Sequence, residues 1–343
     1  MKRDVRYDKL RILACIMVIL IHVSSSQGSA FDVHTASFAA LYVWNAASRS
    51  AVAIFFMISG ALFLGADRPP DIRRLWTKNI PRLLCAYVVW SLLYGLKDLT
   101  IPVFLENPAA LIGKAIEGHY HLWFLPSMLG IYVLLPLLYA AVHNGNGRIL
   151  RYFVRIFAFF GIFCGTVNEL SLFLPESLTA VFSKIRPDLC GACGYFILGY
   201  ALARIPRERL HRWLLIGTYA LAVAAGSVCG ILYSRHVGAA NVLFDEFSAP
   251  GAAAAVSLFL LFRTLPDAKT ERSSKIWEWI SAHTLGIYLL HPLMLAALHH
   301  FGFHAGVLPT WIGVPLLAAA VFVLCFAVIA VLRIIPGLGK WLV

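Results

Sequence analysis

Apolar residues in this chain collect in blocks of about 18–25, the length an α-helix needs to cross the hydrocarbon core of a bilayer. Ten such stretches can be read, over residues 10–27, 40–64, 81–99, 121–142, 150–174, 189–203, 212–234, 248–265, 276–300 and 307–333. Pro, Gly and charged residues separate them, as at 65–81, 143–148 and 204–212. A chain in lipid must satisfy its own backbone amides, because no water is there to do so, and helices achieve this within one segment. Composition removes the alternatives. The 343 residues are 60% hydrophobic and 13% charged, about half the charge of a soluble domain. That excludes an ordinary cytosolic enzyme, a disordered chain and a coiled coil. The expectation is an all-α polytopic membrane bundle of about ten transmembrane helices, one domain over residues 1–343. The basic start at residues 1–9 runs into apolar sequence with no small-x-small cleavage site, so it reads as a retained first helix.

The formal charge is +12, from 29 Lys and Arg against 17 Asp and Glu. In a soluble protein such an excess would point to nucleic acid. With the N-terminus in the cytoplasm, however, 23 of the 29 basic residues fall in cytoplasmic segments. The outer side then holds only Arg49, Lys97, Lys114, Lys184, Arg186 and Arg235. Basic residues gather on the cytoplasmic side of membrane proteins, so the charge is a topology signal and no nucleic-acid partner is needed. Both termini are expected in the cytoplasm. Trp76, Trp213, Trp277, Trp279 and Trp341 fall near cytoplasmic ends and Trp44 and Trp311 near outer ends, as an interfacial belt requires. Trp90 and Trp123 do not fit that belt.

The seven cysteines lie in or beside apolar stretches without a secreted-framework spacing. Cys190 and Cys193 match C-x-x-C, but no thioredoxin-like βαβ pattern surrounds them, and they read as small residues easing helix packing. Gly191, Gly194 and Gly199 read the same way. His299, His300 and His304 cluster in sequence without the organised ligand geometry a metal site requires, and no metal is expected.

Residues that are costly to bury in lipid mark function. His22 follows the apolar run Ile16–Ile21, and Arg11 precedes it by eleven residues. Eleven residues make about three helical turns, so the two side chains share a face about 16 Å apart. A positive-inside anchor and a core histidine would explain the pair. So would a polar track, with a cation at the cytoplasmic mouth for an anionic ligand and an imidazole further in to move protons.

Tyr7-Asp8-Lys9-Leu10-Arg11, followed by ten residues and His22, resembles the opening of the acyltransferase family 3 membrane proteins. Ala53–Gly60 is similar to that family's second-helix "FFxxSG" ending. Lys78–Leu84 is similar to the basic lead-in of its third helix. His121-Leu122-Trp123-Phe124-Leu125 matches the "H-x-W-F-L" form of one branch, and Thr284–Pro292 resembles the "S-x-G-I-Y-L-x-H" segment. The five motifs keep the family's order across nearly the whole chain. Two departures stand out. No carboxylate follows Trp123, where many members carry a Glu, and no esterase-like domain follows the helices. The resemblance is therefore to the short, stand-alone branch.

The resemblance implies transfer of an acyl group, usually acetyl, from cytoplasmic acyl-CoA to a hydroxyl of a cell-surface carbohydrate or related acceptor. It places the protein in the bacterial inner membrane as an O-acyltransferase of polysaccharide modification. Arg11 and His22 become the catalytic candidates. Arg11, Arg73, Arg74, Lys78 and Arg82 would hold the CoA phosphates, for which clustered cations supply charge and bidentate donors. His121, Trp123 and Arg49 are candidates for the acceptor side, and His291 for packing near the site. Ser59, Tyr132 or His22 itself would carry the acyl group in a two-step route. The expected partners are acyl-CoA as donor substrate, a glycan acceptor and the lipid bilayer, with no tightly bound cofactor. A transporter or flippase for an anionic or lipid-linked substrate, and a membrane scaffold, are the competing readings. Consumption of acyl-CoA separates the first from both.

Overall fold

The computed structural model describes residues 4–98, 109–144, 147–170, 173–175, 177, 180–182, 191–266, 270–335 and 337–341. Lys2, Arg3, Lys184, Arg186, Cys190 and Lys269, used in the sequence reading, lie outside them. The described residues contain helices and no strands. In chain order the helices are α1 (Val5–Ser25), α2 (Ala36–Ser48), α3 (Ala51–Phe63), α4 (Ile72–Asp98), α5 (Ala109–Glu117), α6 (Phe124–Asn144) and α7 (Arg148–Glu169). They continue as α8 (Ala192–Ala203), α9 (Arg212–Val237), α10 (Ala249–Arg263), α11 (Glu271–Ala282), α12 (Thr284–His300), α13 (Thr310–Leu332) and α14 (Leu338–Trp341).

Among the described residues each of the ten apolar stretches is largely helical, but they are not ten equal spans. Among the described residues six helical stretches are long and apolar enough to cross a membrane, with α2 and α3 counted together, and a seventh if α11 and α12 form one bent span. Helix α8 has twelve residues and α10 fifteen, about 18 and 22 Å of rise, short of a 30 Å hydrocarbon core. Helix α1 is long enough, but even its last eighteen residues contain Asp8, Lys9 and Arg11. The expected count of ten spans is therefore not confirmed, although the polytopic helical class is.

Local chemistry sets the helix starts. Thr35 Oγ1 accepts from Phe38 N at α2, Ser248 Oγ from Gly251 N at α10, and Thr270 Oγ1 from Ser273 N at α11. Each hydroxyl satisfies an amide that has no partner inside its helix. On α9, Leu214, Leu221, Val228 and Leu232 all face outward and exposed. In water such an apolar surface would aggregate; in a bilayer it meets lipid.

The tightest packing joins α3 to α8. A Cβ added to Gly60 would stand 1.6 Å from the Phe196 carbonyl oxygen, and one added to Gly199 2.0 Å from that of Met57. Backbone meets backbone here because both positions lack side chains. Gly194 similarly accommodates the Phe157 ring, so two of the three glycines expected at close approaches are found at them. Trp90 is buried in the core, with its ring 6.3 Å from that of Tyr94.

Helices α11 and α12 meet at a 47° bend around His283. Carbonyl groups released at a bend need new donors. His283 Nδ1 bonds the Trp279 carbonyl at 2.6 Å, Thr284 Oγ1 donates to that of Ser281 at 2.8 Å, and the Arg333 guanidinium donates to that of Ala282. Helix α1 packs against both arms.

Candidate active site

The two ends of α1 enter different surroundings. At the end that the charge distribution assigns to the cytoplasm, Arg11 Nη1 donates to Ser281 Oγ at 3.2 Å and lies 3.7 Å from Asp8 Oδ1. Beside it is a cavity of about 520 Å³ lined by Arg74, Thr77, Lys78, Asn79, Arg82 and Tyr132, with Leu83, Ala86, Leu285 and Trp341 completing the wall. Tyr132 lies within electrostatic reach of both Arg82 and Arg11. Three of the expected donor-binding cations, Arg74, Lys78 and Arg82, thus line one space, which has the volume of a small-molecule pocket. Arg73 is exposed on the same segment and is not part of the lining.

At the outer end His22 joins a cluster with three further histidines. Its ring centroid is 4.9 Å from that of His291 and 5.3 Å from that of Tyr120. His291 lies 5.5 Å from His121, and His121 lies 5.0 Å from His119. Proline explains the orientation of His291. Pro292 has no N–H, so it cannot donate to the Tyr288 carbonyl four residues earlier. Nor is any further donor needed there, because His291 Nδ1 bonds that carbonyl at 2.7 Å. A carbonyl only accepts, so Nδ1 carries the proton and Nε2 keeps a lone pair. Among the described residues His291 Nε2 and His121 Nε2 are buried without a hydrogen-bond partner. Buried polar nitrogens are otherwise almost always satisfied, and exceptions need a reason.

Tyr94 and Tyr288 hold this cluster in place. The Tyr94 hydroxyl donates to the Leu289 carbonyl at 2.8 Å, and that of Tyr288 donates to the His121 carbonyl. The His119 ring stacks on Tyr94 at 4.2 Å. Burial pushes the His119 imidazole below its ordinary range, while Asp98 nearby pulls it back up.

A second cavity, of about 480 Å³, opens beside the cluster. Tyr87, Ser91, Tyr94, Asp98, Lys114, Glu117, His119, Tyr120 and Trp123 are among its lining. Both cavities sit on one stripe of α4. Leu83 and Ala86 face the inner one, while Tyr87, Ser91, Gly95 and Asp98 face the outer one. Positions three or four apart share a helix face, so the spaces follow one another along the helix. The change between them falls between Ala86 and Tyr87.

The remaining candidates separate. His121 belongs to the histidine cluster and Trp123 to the outer cavity. Arg49 does not line that cavity: its Nε donates to Asn45 Oδ1 at 2.7 Å, while Asn45 Nδ2 donates to Ser24 and Ser25 at 2.9 and 2.8 Å. Arg49 thus holds Asn45, which joins α2 to the end of α1. Ser59 Oγ donates to the Phe55 carbonyl at 2.9 Å within its own helix, and it lines neither cavity. Tyr132 does face the inner cavity. Asp98, His119 and Tyr120 were not singled out from sequence, although the run His119-Tyr120-His121 is a dense imidazole signal. The described residues hold no group of three or more His, Cys, Asp or Glu side chains placed to bind a metal ion.

A family model described as an acyltransferase domain, Acyl_transf_3, matches residues 4–331. No curated protein and no solved structure matches the chain.

Proposed function

The chain belongs to this acyltransferase family, and from that premise we propose that it transfers an acyl group, acetyl foremost, from cytoplasmic acyl-CoA to a hydroxyl of a surface carbohydrate or related outer acceptor. One observation carries the reading. A cationic cavity at the inner end and a cavity at the outer end that His119 joins to the histidine cluster follow one another along α4, with Arg11 and His22 at the matching ends of α1. The CoA phosphates meet Arg74, Lys78 and Arg82, and the thioester extends inward past Tyr132. The acceptor enters from the outer side among Tyr87, Tyr120 and Trp123, whose rings suit the apolar faces of a sugar.

The chemistry follows from these placements. His22 takes the proton of the acceptor hydroxyl as its oxygen bonds to the thioester carbon. The carbonyl electron pair moves onto oxygen, then returns as the carbon–sulfur bond breaks and the CoA thiolate leaves. In a two-step route Tyr132 or His22 first receives the acyl group; the position of Ser59, bonded within its helix and outside both cavities, argues against that residue.

The test is incubation of nanodisc-held protein with radiolabelled acetyl-CoA, comparing wild type with His22→Ala and Arg11→Ala. CoA release, or label retained on the protein, is expected for wild type and abolished in His22→Ala. Retained label lost in Tyr132→Phe identifies the carrier. A transporter or flippase would leave acyl-CoA intact, and inert acetyl, succinyl and longer donors alike would overturn the enzyme reading.

A further inference from the structure

The acceptor proton needs a destination, and the outer cavity holds an arrangement suited to supply one. The Nδ1 atoms of His119 and His121 are 2.8 Å apart. Two ring nitrogens approach this closely only when one carries a proton and the other a lone pair. On its far side His119 Nε2 lies 3.9 Å from Asp98 Oδ2. The carboxylate favours a proton on that nitrogen, which makes His119 Nδ1 the acceptor and His121 Nδ1–H the donor. His121 Nε2 is then a lone pair, and it is the buried nitrogen without a partner. Exposure increases along the series: His121 is 2% exposed, while the side chains of His119 and Asp98 are 12% and 40% exposed. The series therefore runs from the closed cluster around His22 and His291 to outer water. The charged and titratable groups facing it are Tyr87, Lys97 and Asp98 from α4, Lys114 and Glu117 from α5, and Tyr94, Tyr120, Tyr288, His22 and His291 around the rings.

We propose that Asp98, His119 and His121 form a proton outlet, through which the proton of the acceptor hydroxyl leaves the histidine cluster for the outer solution. The proposal rests on the acyl-transfer reading above. The hydroxyl oxygen bonds to the acyl carbon, its O–H bond breaks, and the proton enters the cluster. His121 receives it on Nε2 and gives its Nδ1 proton to His119 Nδ1. His119, now doubly protonated, loses its Nε2 proton past Asp98 to water. The carbon–sulfur electron pair leaves on the CoA sulfur, which takes a proton from cytoplasmic water. Each transfer thus releases one proton outside and takes up one inside, and the acyl ester and CoA thiol complete the balance. It leaves the two rings with their tautomers exchanged, and proton exchange of both rings with water restores Nδ1–H on His121 and Nε2–H on His119 before the next transfer.

Two measurements on the full-length protein in nanodiscs test this. The first uses ¹⁵N-histidine spectra of wild type, Asp98→Asn and His119→Gln. A coupling across an N–H···N bond between two imidazoles is expected in wild type and lost in His119→Gln. Asp98→Asn is expected to change which nitrogens carry protons in that pair. No coupling in wild type, or an Asp98→Asn spectrum identical to it, overturns the outlet. The second follows CoA release with acetyl-CoA as donor and glycerol as the probe acceptor. Asp98→Asn and His119→Gln should fall at least tenfold with acetyl-CoA affinity unchanged, and added imidazole should restore His119→Gly. A purely structural His119, serving only to stack on Tyr94, would give a loss that imidazole does not restore, and that result also overturns the outlet. Wild-type release no faster than His22→Ala overturns the acyl-transfer reading instead, while the spectra still judge the histidine pair.

Discussion

The ring of His22 lies 4.9 Å from the ring of His291, on a helix more than 260 residues away in sequence. Because Pro292 leaves the Tyr288 carbonyl to His291 Nδ1, the other nitrogen of that ring stays free of the backbone. His291→Gln should therefore lower acyl transfer at least tenfold while acyl-CoA affinity stays within twofold, consistent with the loss of a proton-handling group. Pro292→Ala, which restores an N–H to compete for the same carbonyl, should weaken activity in the same direction. Steady-state kinetics with parallel donor-binding measurements decide both; an unchanged kcat in His291→Gln would confine that residue to packing.

Arg74, Lys78 and Arg82 share the inner cavity and Arg73 does not. Alanine at any of the first three should raise the Kd for acyl-CoA about tenfold, the equivalent of about 1.4 kcal/mol, and the loss should shrink as salt rises. Arg73→Ala should leave that Kd within twofold. Isothermal titration with acetyl-CoA separates the two groups, and equal losses at all four positions would show that general positive charge, rather than this cavity, recruits the donor.

Gly60 and Gly199 hold α3 and α8 at backbone contact. Since carbonyl groups cannot rotate away as a side-chain tip can, Gly60→Ala and Gly199→Ala should each destabilise the protein by about 1–3 kcal/mol. Gly130→Ala, where an added Cβ meets no atom within 4 Å, should be neutral or slightly stabilising by helix propensity. Thermal melting in one detergent compares the three.

Glu246 lies in the connection before α10. Burial, reinforced by neighbouring Asp245, raises its pKa from 4.5 to about 7, with Arg49 opposing the shift. The folded state thus retains a proton that the unfolded state releases between those values, so the residue costs stability as pH rises from 4.5 to 7, with the full cost present above 7. Glu246→Gln should remove this slope and gain about 1–2 kcal/mol at pH 8, a discounted figure because the side chain keeps some contact with water. Melting temperatures at pH 5 and pH 8 check it: the variant should exceed wild type at pH 8 and match it at pH 5.

The helical stretches were readable because a lipid solvent leaves a long apolar run few other structures. Their division into spans was less readable. At the bend around His283, local bonds from His283 and Thr284 are joined by Arg333 reaching the Ala282 carbonyl, a contact between residues 51 apart that no local pattern encodes. Arg11 and His22 were visible because helical spacing alone puts them on one face. His291 was visible through its motif. Asp98 and His119 were not, because their meaning lies in a pairing that only tertiary packing creates. Arg49 was visible as an outer charge, but its hydrogen bond to Asn45, which in turn reaches Ser24 and Ser25, is a tertiary arrangement that the sequence does not spell out.

The bent pair α11–α12 has a geometric consequence for the first helix. Ser281, before the bend, bonds Arg11, and His291, after it, packs beside His22. Ten residues separate the two contacts on the bent pair, and eleven separate their counterparts on α1. The interval between the cation and the imidazole is therefore gauged twice, by two pieces of chain laid side by side. A stretch or slip in either one would be registered as misfit by the other.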